Sequence, residues 1–454
     1  MLTDQDTAAD LILRGGVIHP LTDNGDNPTA IACRSGRIQQ LGSDREILTL
    51  AGHDTEVIDL AGRAVLPGIN DGHLHATWLG AMWPDTLFGS DTDSAPQHHT
   101  PLRDTGEQRQ AILRAGDLLS SLGITSYTEP GIGPGEDHGR TGAFGTAVLD
   151  QYRTLADEGK LRARVTMLSL FGELDGASNL VDFRTGLANT TALSSDHRWL
   201  RLAGVKIFAD GIPPMRTAYT HSRYRDGHRP ELLVAGADTA EREASFTSMV
   251  VAAHHADQQI GVHATGDRAI DLMLDAVEQA RAEHDVDLGH YIIHGDLVTA
   301  AQLRRMAELG IGMDMQPDIA LRTRQQVDEA LGEGTAAGAW PLAATYDAGV
   351  QVCLTTDAPV LSPDWRRQIA AADEWLGPTA EPTQRMTRLL HSYTTIPARQ
   401  DSAASWKGTL APGMAADLCV LAADPYTVGP ANLPEVPVDL TVVDGDIVHN
   451  RTTR

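Results

Sequence analysis

Val65-Leu66-Pro67-Gly68-Ile69-Asn70-Asp71-Gly72-His73-Leu74-His75 begins as an apolar run and ends on two histidines two positions apart. A strand turns successive side chains to opposite faces. Read as one strand, this stretch therefore points His73 and His75 the same way, where they can share a metal ion. Two imidazoles seldom complete a metal site, so distant segments must deliver further ligands to the same point.

Working outward, the apolar runs 64–75, 122–130, 161–171, 201–209, 259–264, 290–295, 310–317 and 350–357 read as strands. Amphipathic stretches at 103–120, 142–158, 238–257, 267–284, 297–308 and 364–375 read as helices between them. Eight strands alternating with helices imply a parallel sheet, and the number favours closure into a (β/α)8 (TIM) barrel, an α/β fold whose chemistry sits at the C-terminal strand ends. Both chain ends differ in style. Asp10-Leu-Ile-Leu, Ala30-Ile-Ala-Cys and Glu56-Val-Ile-Asp-Leu near the start, and Asp417-Leu-Cys-Val-Leu and Val438-Asp-Leu-Thr-Val-Val near the end, are short strands joined by turns, with a brief helical turn at 44–51. The economical arrangement is one small β module built from 1–66 and 405–454, around a barrel of 67–404. Segments 84–103, with His98-His99, and 211–236 read as loops over the barrel mouth.

Composition narrows the function. The chain carries 36 Lys and Arg against 61 Asp and Glu, a net charge of −25, which argues against a nucleic-acid partner. Cys33, Cys353 and Cys419 are few and far apart, so a disulfide framework is not expected and a reducing cytoplasm is. The acidic, polar start lacks the basic-then-apolar pattern of a secretory signal, and no apolar run reaches the roughly 18 to 20 residues that span a bilayer. The reading is a soluble cytoplasmic protein without a membrane partner.

The strand ends supply the missing ligands. Lys206 sits in Leu202-Ala-Gly-Val-Lys-Ile-Phe-Ala-Asp210 among apolar neighbours. A buried free ammonium costs several kcal/mol unless it is paired, snorkels to water or is chemically altered; carboxylation by CO2 would make it an anionic metal bridge. His263 and His294 end the fifth and sixth strands, and Asp357 ends the eighth, where it is either a ligand or the cap of the next helix. A lone histidine at a strand end is more often structural, but His73, His75, Lys206, His263, His294 and Asp357 together form what two divalent cations require. Glu129, ending the second strand, either supplements or borders that group. Trp78, after the first strand, and Arg216, His221, Tyr224 and Arg225, after the fourth, are candidate substrate contacts. His53, His254, His255, His284, His290 and His449 fall elsewhere and read as structural or surface residues.

In these motifs the sequence resembles the amidohydrolase superfamily, and within it the YtcJ-like branch called amidohydrolase family 3. The marks are Leu66-Pro-Gly-Ile-Asn-Asp-Gly-His-Leu-His75, Val205-Lys-Ile-Phe-Ala-Asp-Gly211, His263-Ala-Thr-Gly-Asp-Arg-Ala-Ile-Asp271, Thr356-Asp-Ala-Pro-Val360 and Gly408-Thr-Leu-Ala-Pro-Gly-Met-Ala-Ala-Asp-Leu-Cys-Val420. The resemblance implies a metal-dependent (β/α)8 hydrolase with a composite β-sandwich from both termini, and a homodimer or higher assembly is common in the superfamily. It implies His73 and His75 on the more buried metal, His263 and His294 on the second, Lys206 as the carboxylated bridge, and Asp357 as ligand and proton shuttle. Zinc, two ions per chain, is the default. The chemistry expected is hydrolysis of an amide-type C–N bond in a small molecule, whether N-acyl or N-formyl amine, cyclic amide or carbamate, by a metal-bridged hydroxide. A mononuclear deaminase on the same barrel is the enzymatic alternative; it fits less well because Lys206 is present and no His-x-x-Glu follows His294. A non-catalytic scaffold would have lost ligands, and this chain keeps them.

Overall fold

A computed structural model describes residues 8–22, 28–91, 101–190, 193–194, 196–377 and 381–451. Its centre is an eight-stranded parallel sheet in which each strand neighbours the next in sequence. The strands are β1 (Ile69–Asp71), β2 (Ile124–Ile132), β3 (Arg164–Leu170), β4 (Leu200–Phe208), β5 (Gln259–Ala264), β6 (Tyr291–His294), β7 (Gly312–Met315) and β8 (Val352–Leu354). All seven residues of β3 are buried, as expected of a parallel strand covered on both faces. Ile260, Val262 and Ala264 of β5 point outward into the main apolar core under the helices, whereas Leu168, Ala203, Tyr291 and Ile293 make a separate small cluster inside the barrel.

The expected strand at 64–75 divides in two. Ala64–Pro67 leaves the barrel and pairs antiparallel with Leu418–Leu421, and only Ile69–Asp71 joins β2. The break falls at Gly68, where a Cβ would lie 2.1 Å from Thr125 Oγ1. His73 and His75 therefore follow the strand rather than alternate along it, and His75 is the N-cap of helix Ala76–Met82. The same shortening affects the eighth run. Its strand ends at Leu354, and Asp357 has φ 54°, outside any strand conformation.

Between β1 and β8 the seam is filled by residues 392–393. Asn70 N–H donates to Tyr393 O (2.8 Å) and Leu354 N–H to Ser392 O (3.1 Å). At the mouth the two strands meet directly, with Asp357 N–H on His73 O (2.9 Å) and His75 N–H on Ala358 O (2.7 Å). These bonds bring the two ends of the barrel sequence to one point. Towards the opposite end, buried Lys407 pairs with Asp401 at 2.6 Å, and Asn70 Nδ2–H donates to the same carboxylate at 2.8 Å.

The chain ends form two sheets. One has strand order Arg37–Gly42, Ala30–Arg34, Ala9–Arg14, Ala51–Asp59; the other has Asp446–Asn450, Val438–Val443, Leu418–Leu421, Ala64–Pro67, Val17–Ile18. Leu11, Leu13, Ile31, Val65, Leu418, Val420 and Leu440 form one buried cluster drawn from both. Residues 44–47 make the brief helix, closed by a Ser43/Glu46 capping box.

Arg164 ties the barrel to this module. From β3, where it is 3% exposed, its guanidinium donates to Asp417 at 2.7 and 3.0 Å and to Asp444 at 2.8 Å, between the rings of Trp199 and Trp406. Removing one partner of a buried pair leaves the other charge uncompensated. Arg164→Met is expected to lose about 3–5 kcal/mol, seen as a lower calorimetric unfolding temperature, with Asp417→Asn in the same chain recovering part of it. No recovery would show the pair to be uncoupled.

The histidines read as structural form a chain of fixed tautomers. Ile260 N–H donates to His290 Nδ1 (3.0 Å), so the His290 proton sits on Nε2 and is given to His254 Nδ1 (2.8 Å); His254 Nε2–H then donates to His284 O (2.7 Å). Both rings must be neutral. Burial, followed by the neighbouring His254, pushes His290 down to about 3. Above pH about 6.5 the ring is neutral folded or unfolded; below it the unfolded chain takes up a proton that the folded chain refuses, so stability is lost as pH falls from about 6.5 towards 3. At about 1.4 kcal/mol per pH unit, wild type should lose roughly 2–3 kcal/mol between pH 6.5 and 4.5 through this group. His290→Asn, which offers an acceptor without a titrating proton, should flatten that limb in denaturant titrations; an unchanged limb would contradict the assignment.

Candidate active site

The strands deliver His73, His75, His294, His263 and Asp357 to one end of the barrel. Asp357 Oδ1 lies 3.1 Å from His73 Nε2 and 3.6 Å from His75 Nε2. Among the described residues, His73, His75 and Asp357 present ligand atoms within 4.8 Å of one another, all from buried side chains. The rings continue the group: His73 to His294 with centroids 5.8 Å apart, and His294 to His263 at 4.5 Å. His294 (φ 77°) and Asp357 (φ 54°) both hold backbone conformations that non-glycine residues adopt rarely, which marks the places where the fold constrains the chain to aim a side chain.

Each imidazole is aimed by its surroundings. Glu129, fully buried in the second half of β2, faces His75 Nδ1 at 3.2 Å and also accepts from Thr77 N–H and Tyr152 O–H, both at 3.3 Å. His75 Nδ1 thus carries the proton, and Nε2 keeps a lone pair for the group containing Asp357. Gln316 does the same for His294, its Oε1 accepting from Nδ1–H at 2.8 Å, and it is fixed in turn by Thr355 Oγ1 at 2.8 Å. Asp210, which follows β4, accepts from the N–H groups of Tyr219, Thr265 and Gly266 (2.8–2.9 Å) and so anchors the turn beneath His263. Asp71 accepts from Thr356 Oγ1–H (2.6 Å), Thr356 N–H and His73 N–H, binding the β1 and β8 ends together.

Burial sets the electrostatics. His73 is held well below its ordinary value by burial and then by the charges of Lys206, His75 and His263. Burial and then His263 do the same to His294. Neutral imidazoles keep the lone pairs a cation needs. Lys206 is 2% exposed and is pushed down to about 8 by burial, against the pull of Asp357, Asp175 and Asp314. Among the described residues its Nζ has no hydrogen bond or ion pair; its recorded contact is the Phe208 ring, 4.7 Å away.

The side chains fit a metal. The Nε2 atoms of His73 and His75 close on Asp357 Oδ1 at 3.1 and 3.6 Å, while the far nitrogen of His263, Nδ1, is turned to Asp210 Oδ1 at 3.6 Å. Imidazole and carboxylate donors converging in this way suit a borderline divalent cation.

The substrate-contact candidates separate. Trp78 is at the site, its ring 6.5 Å from His75 and 5.7 Å from Phe144, which itself lies 5.2 Å from His75. Arg216 is spent on an exposed pair with Asp226 at 2.6 Å, and His221 on Asp271 at 2.9 Å. Tyr224 is buried and donates to Ala218 O at 3.1 Å; Arg225 N–H donates to Ala330 O at 3.0 Å. Of the loop 84–103, residues 92–100 with His98-His99 lie outside the described residues; before them a hairpin, Asp85–Thr86 with Gly89–Ser90, sits beside the eighth strand end through Leu87 N–H on Pro359 O (2.9 Å). Gln316 and Phe144 were missed by sequence reasoning. Gln316 carried a usable signal, a polar residue at the end of an apolar strand; Phe144 carried none, because a loop packs it there.

Comparison with known proteins places this architecture. The model for "Amidohydrolase family" matches residues 85–449. An N-substituted formamide deformylase of Arthrobacter pascens is 30% identical over 98% of this chain and 99% of its own. The putative amidohydrolase YtcJ of Bacillus subtilis (strain 168) is 23% identical over 97% and 99%. An uncharacterized metal-dependent hydrolase from Pyrococcus furiosus superposes with a TM-score of 0.71 at 21% identity, covering 92% of this chain and 99% of that one. The barrel, its His- and Asp-bearing mouth and these matches together identify the chain as a member of the amidohydrolase family, metal-dependent hydrolases of carbon–nitrogen bonds.

Proposed function

We propose that this enzyme hydrolyses the formyl C–N bond of N-substituted formamides, giving an amine and formate, with two divalent ions, zinc by default, at the mouth of the barrel. The observation that carries the reading is the convergence of His73, His75 and Asp357 near a buried Lys206 that has no ion pair among the described residues. The substrate class follows from likeness to the Arthrobacter pascens deformylase over nearly the whole of both chains. Trp78 and Phe144, which form an aromatic wall next to His75, support it by offering an apolar surface to the nitrogen substituent.

His73 and His75 would hold one ion and His263 and His294 the other, with Asp357 and a carboxylated Lys206 completing the ligand set. The bound ions supply a water acidified from about 15.7 towards roughly 7 and a polarised substrate carbonyl. Asp357 takes a proton from the attacking water and passes it to the nitrogen as the C–N bond breaks, so that the amine leaves neutral. Glu129 and Gln316 hold the imidazoles of His75 and His294 in the tautomers that keep their Nε2 lone pairs inward. Three buried, free cysteines fit a reducing cytoplasm, and no helix among the described residues is long and apolar enough to cross a membrane.

The test is release of formate and amine from a panel of N-alkyl and N-aryl formamides, with the matching acetamides alongside, by metal-loaded protein. Formamides should be the better substrates, and chelation should abolish turnover. Hydrolysis of acetamides or cyclic amides without any formamide turnover would overturn the substrate class while leaving the metal site standing.

A further inference from the structure

Away from the barrel mouth, a cleft of about 770 Å³ opens beside β8, between helix Pro382–His391 and helix Thr395–Gln400. Its charge runs against that of the protein. The chain carries 61 acidic residues, yet among the described residues none lines this cleft, whereas Arg388, Arg399 and His391 do. Among the described residues neither Arg388 nor Arg399 is paired with a carboxylate; Arg388 lies over the Tyr346 ring at 5.1 Å. On the same helix, Arg385 holds Asp373 at 2.8 Å. Thr387 and Thr395 also line the walls, Thr387 Oγ1–H donating to Thr383 O at 2.9 Å and Thr395 Oγ1 lying 2.7 Å from His391 Nδ1. Guanidinium forks around an opening that no described acid lines are the donors that small oxyanions recognise.

We infer that this cleft binds a small oxyanion, of the phosphate or carboxylate class, and that its occupation is felt at the active site through β8. Val352 is at once cleft wall and the first residue of β8. Ser392, also a wall residue, accepts from Leu354 N–H through its carbonyl and meets Tyr346 Oη through its hydroxyl at 2.8 Å. Its neighbour Tyr393 accepts from Asn70 N–H at 2.8 Å. One segment thus spans the seam between the strands that lead to His73 and to Asp357, and a ligand shifting helix Pro382–His391 would move that seam.

The binding half is independent of the substrate assignment; only the rate half uses the proposed reaction. Metal-loaded full-length protein is titrated calorimetrically with inorganic phosphate, and separately with citrate, at fixed ionic strength. Wild type should bind one anion that Arg388→Gln/Arg399→Gln binds at least about tenfold more weakly, while Arg385→Gln, which alters the same helix outside the cleft, binds as wild type. The relative strength of phosphate and citrate then assigns the oxyanion. Arg399→Gln alone, at an exposed position, should weaken binding measurably and guards against misfolding of the double variant. Equal binding by wild type and the double variant would place the anion elsewhere, at the metals for instance, and overturn the site. So would a lack of binding with a changed oligomeric state in the double variant, which would make the cleft a subunit contact. Formamide turnover should change at least about twofold on saturation in wild type and not in the double variant; binding without any change in kcat or KM would contradict the coupling.

Discussion

Asp357→Asn is expected to fold normally and to lower kcat by about 10³-fold or more, with a much smaller change in KM. The backbone of Asp357 is held independently of its carboxylate, through its N–H on His73 O and its carbonyl under Val360 N–H, so the amide variant keeps its place in the mouth. What it loses is the ability to accept a proton, at an atom 3.1 Å from His73 Nε2 and 3.6 Å from His75 Nε2. Positioned proton transfer contributes about 10²–10⁴-fold in rate, and the weakened ligand adds to the loss. Single-turnover formate release together with metal content checks this. A variant that retains its metal and turns over within about tenfold of wild type would remove Asp357 from the proton path.

Lys206→Ala is expected to lose turnover by a similar factor for a different reason. A bare ammonium at this point would stand 2% exposed, without an ion pair among the described residues, beside imidazoles that must supply lone pairs. Carboxylation converts that repulsive cation into an anionic ligand and removes the cost of burying it unpaired. The alanine variant should bind fewer ions, and added acetate or propionate, free carboxylates that fit the vacated space, should restore part of both metal content and activity. Restoration by simple amines but not by carboxylates would instead identify the free ammonium as the working form, and unaltered activity would exclude both.

The fold was legible because a parallel barrel repeats one signal eight times. Most buried strands are apolar runs, and the first, second, fourth, fifth, sixth and eighth runs end within a few residues of His73 and His75, Glu129, Lys206, His263, His294 and Asp357 respectively. What sequence could not show was where a run changes partners. The stretch 64–75 looks like one strand, but its first part is claimed by Leu418–Leu421, some 350 positions away, and Gly68 sits so close to Thr125 that the chain breaks there. The inference that His73 and His75 share a face of one strand reached the right neighbourhood by the wrong geometry. Their positions come from the seam with Asp357 and Ala358. Arg216 and Tyr224 show the converse. Residue type made them plausible substrate contacts, but the loop's own contacts with Asp226 and Ala218 decide where they go. Glu129, undecided from sequence, is placed by Thr77 and Tyr152 against the outer nitrogen of His75.

A site for two cations with Lys206 between them is decided by counting metal. Elemental analysis is made of protein purified without chelator, with bicarbonate present throughout. About two divalent ions per chain are expected, falling to about one or fewer in Lys206→Ala. About one ion per chain in wild type, unchanged by Lys206→Ala, would contradict it and favour a single-ion hydrolase in which the lysine has another task.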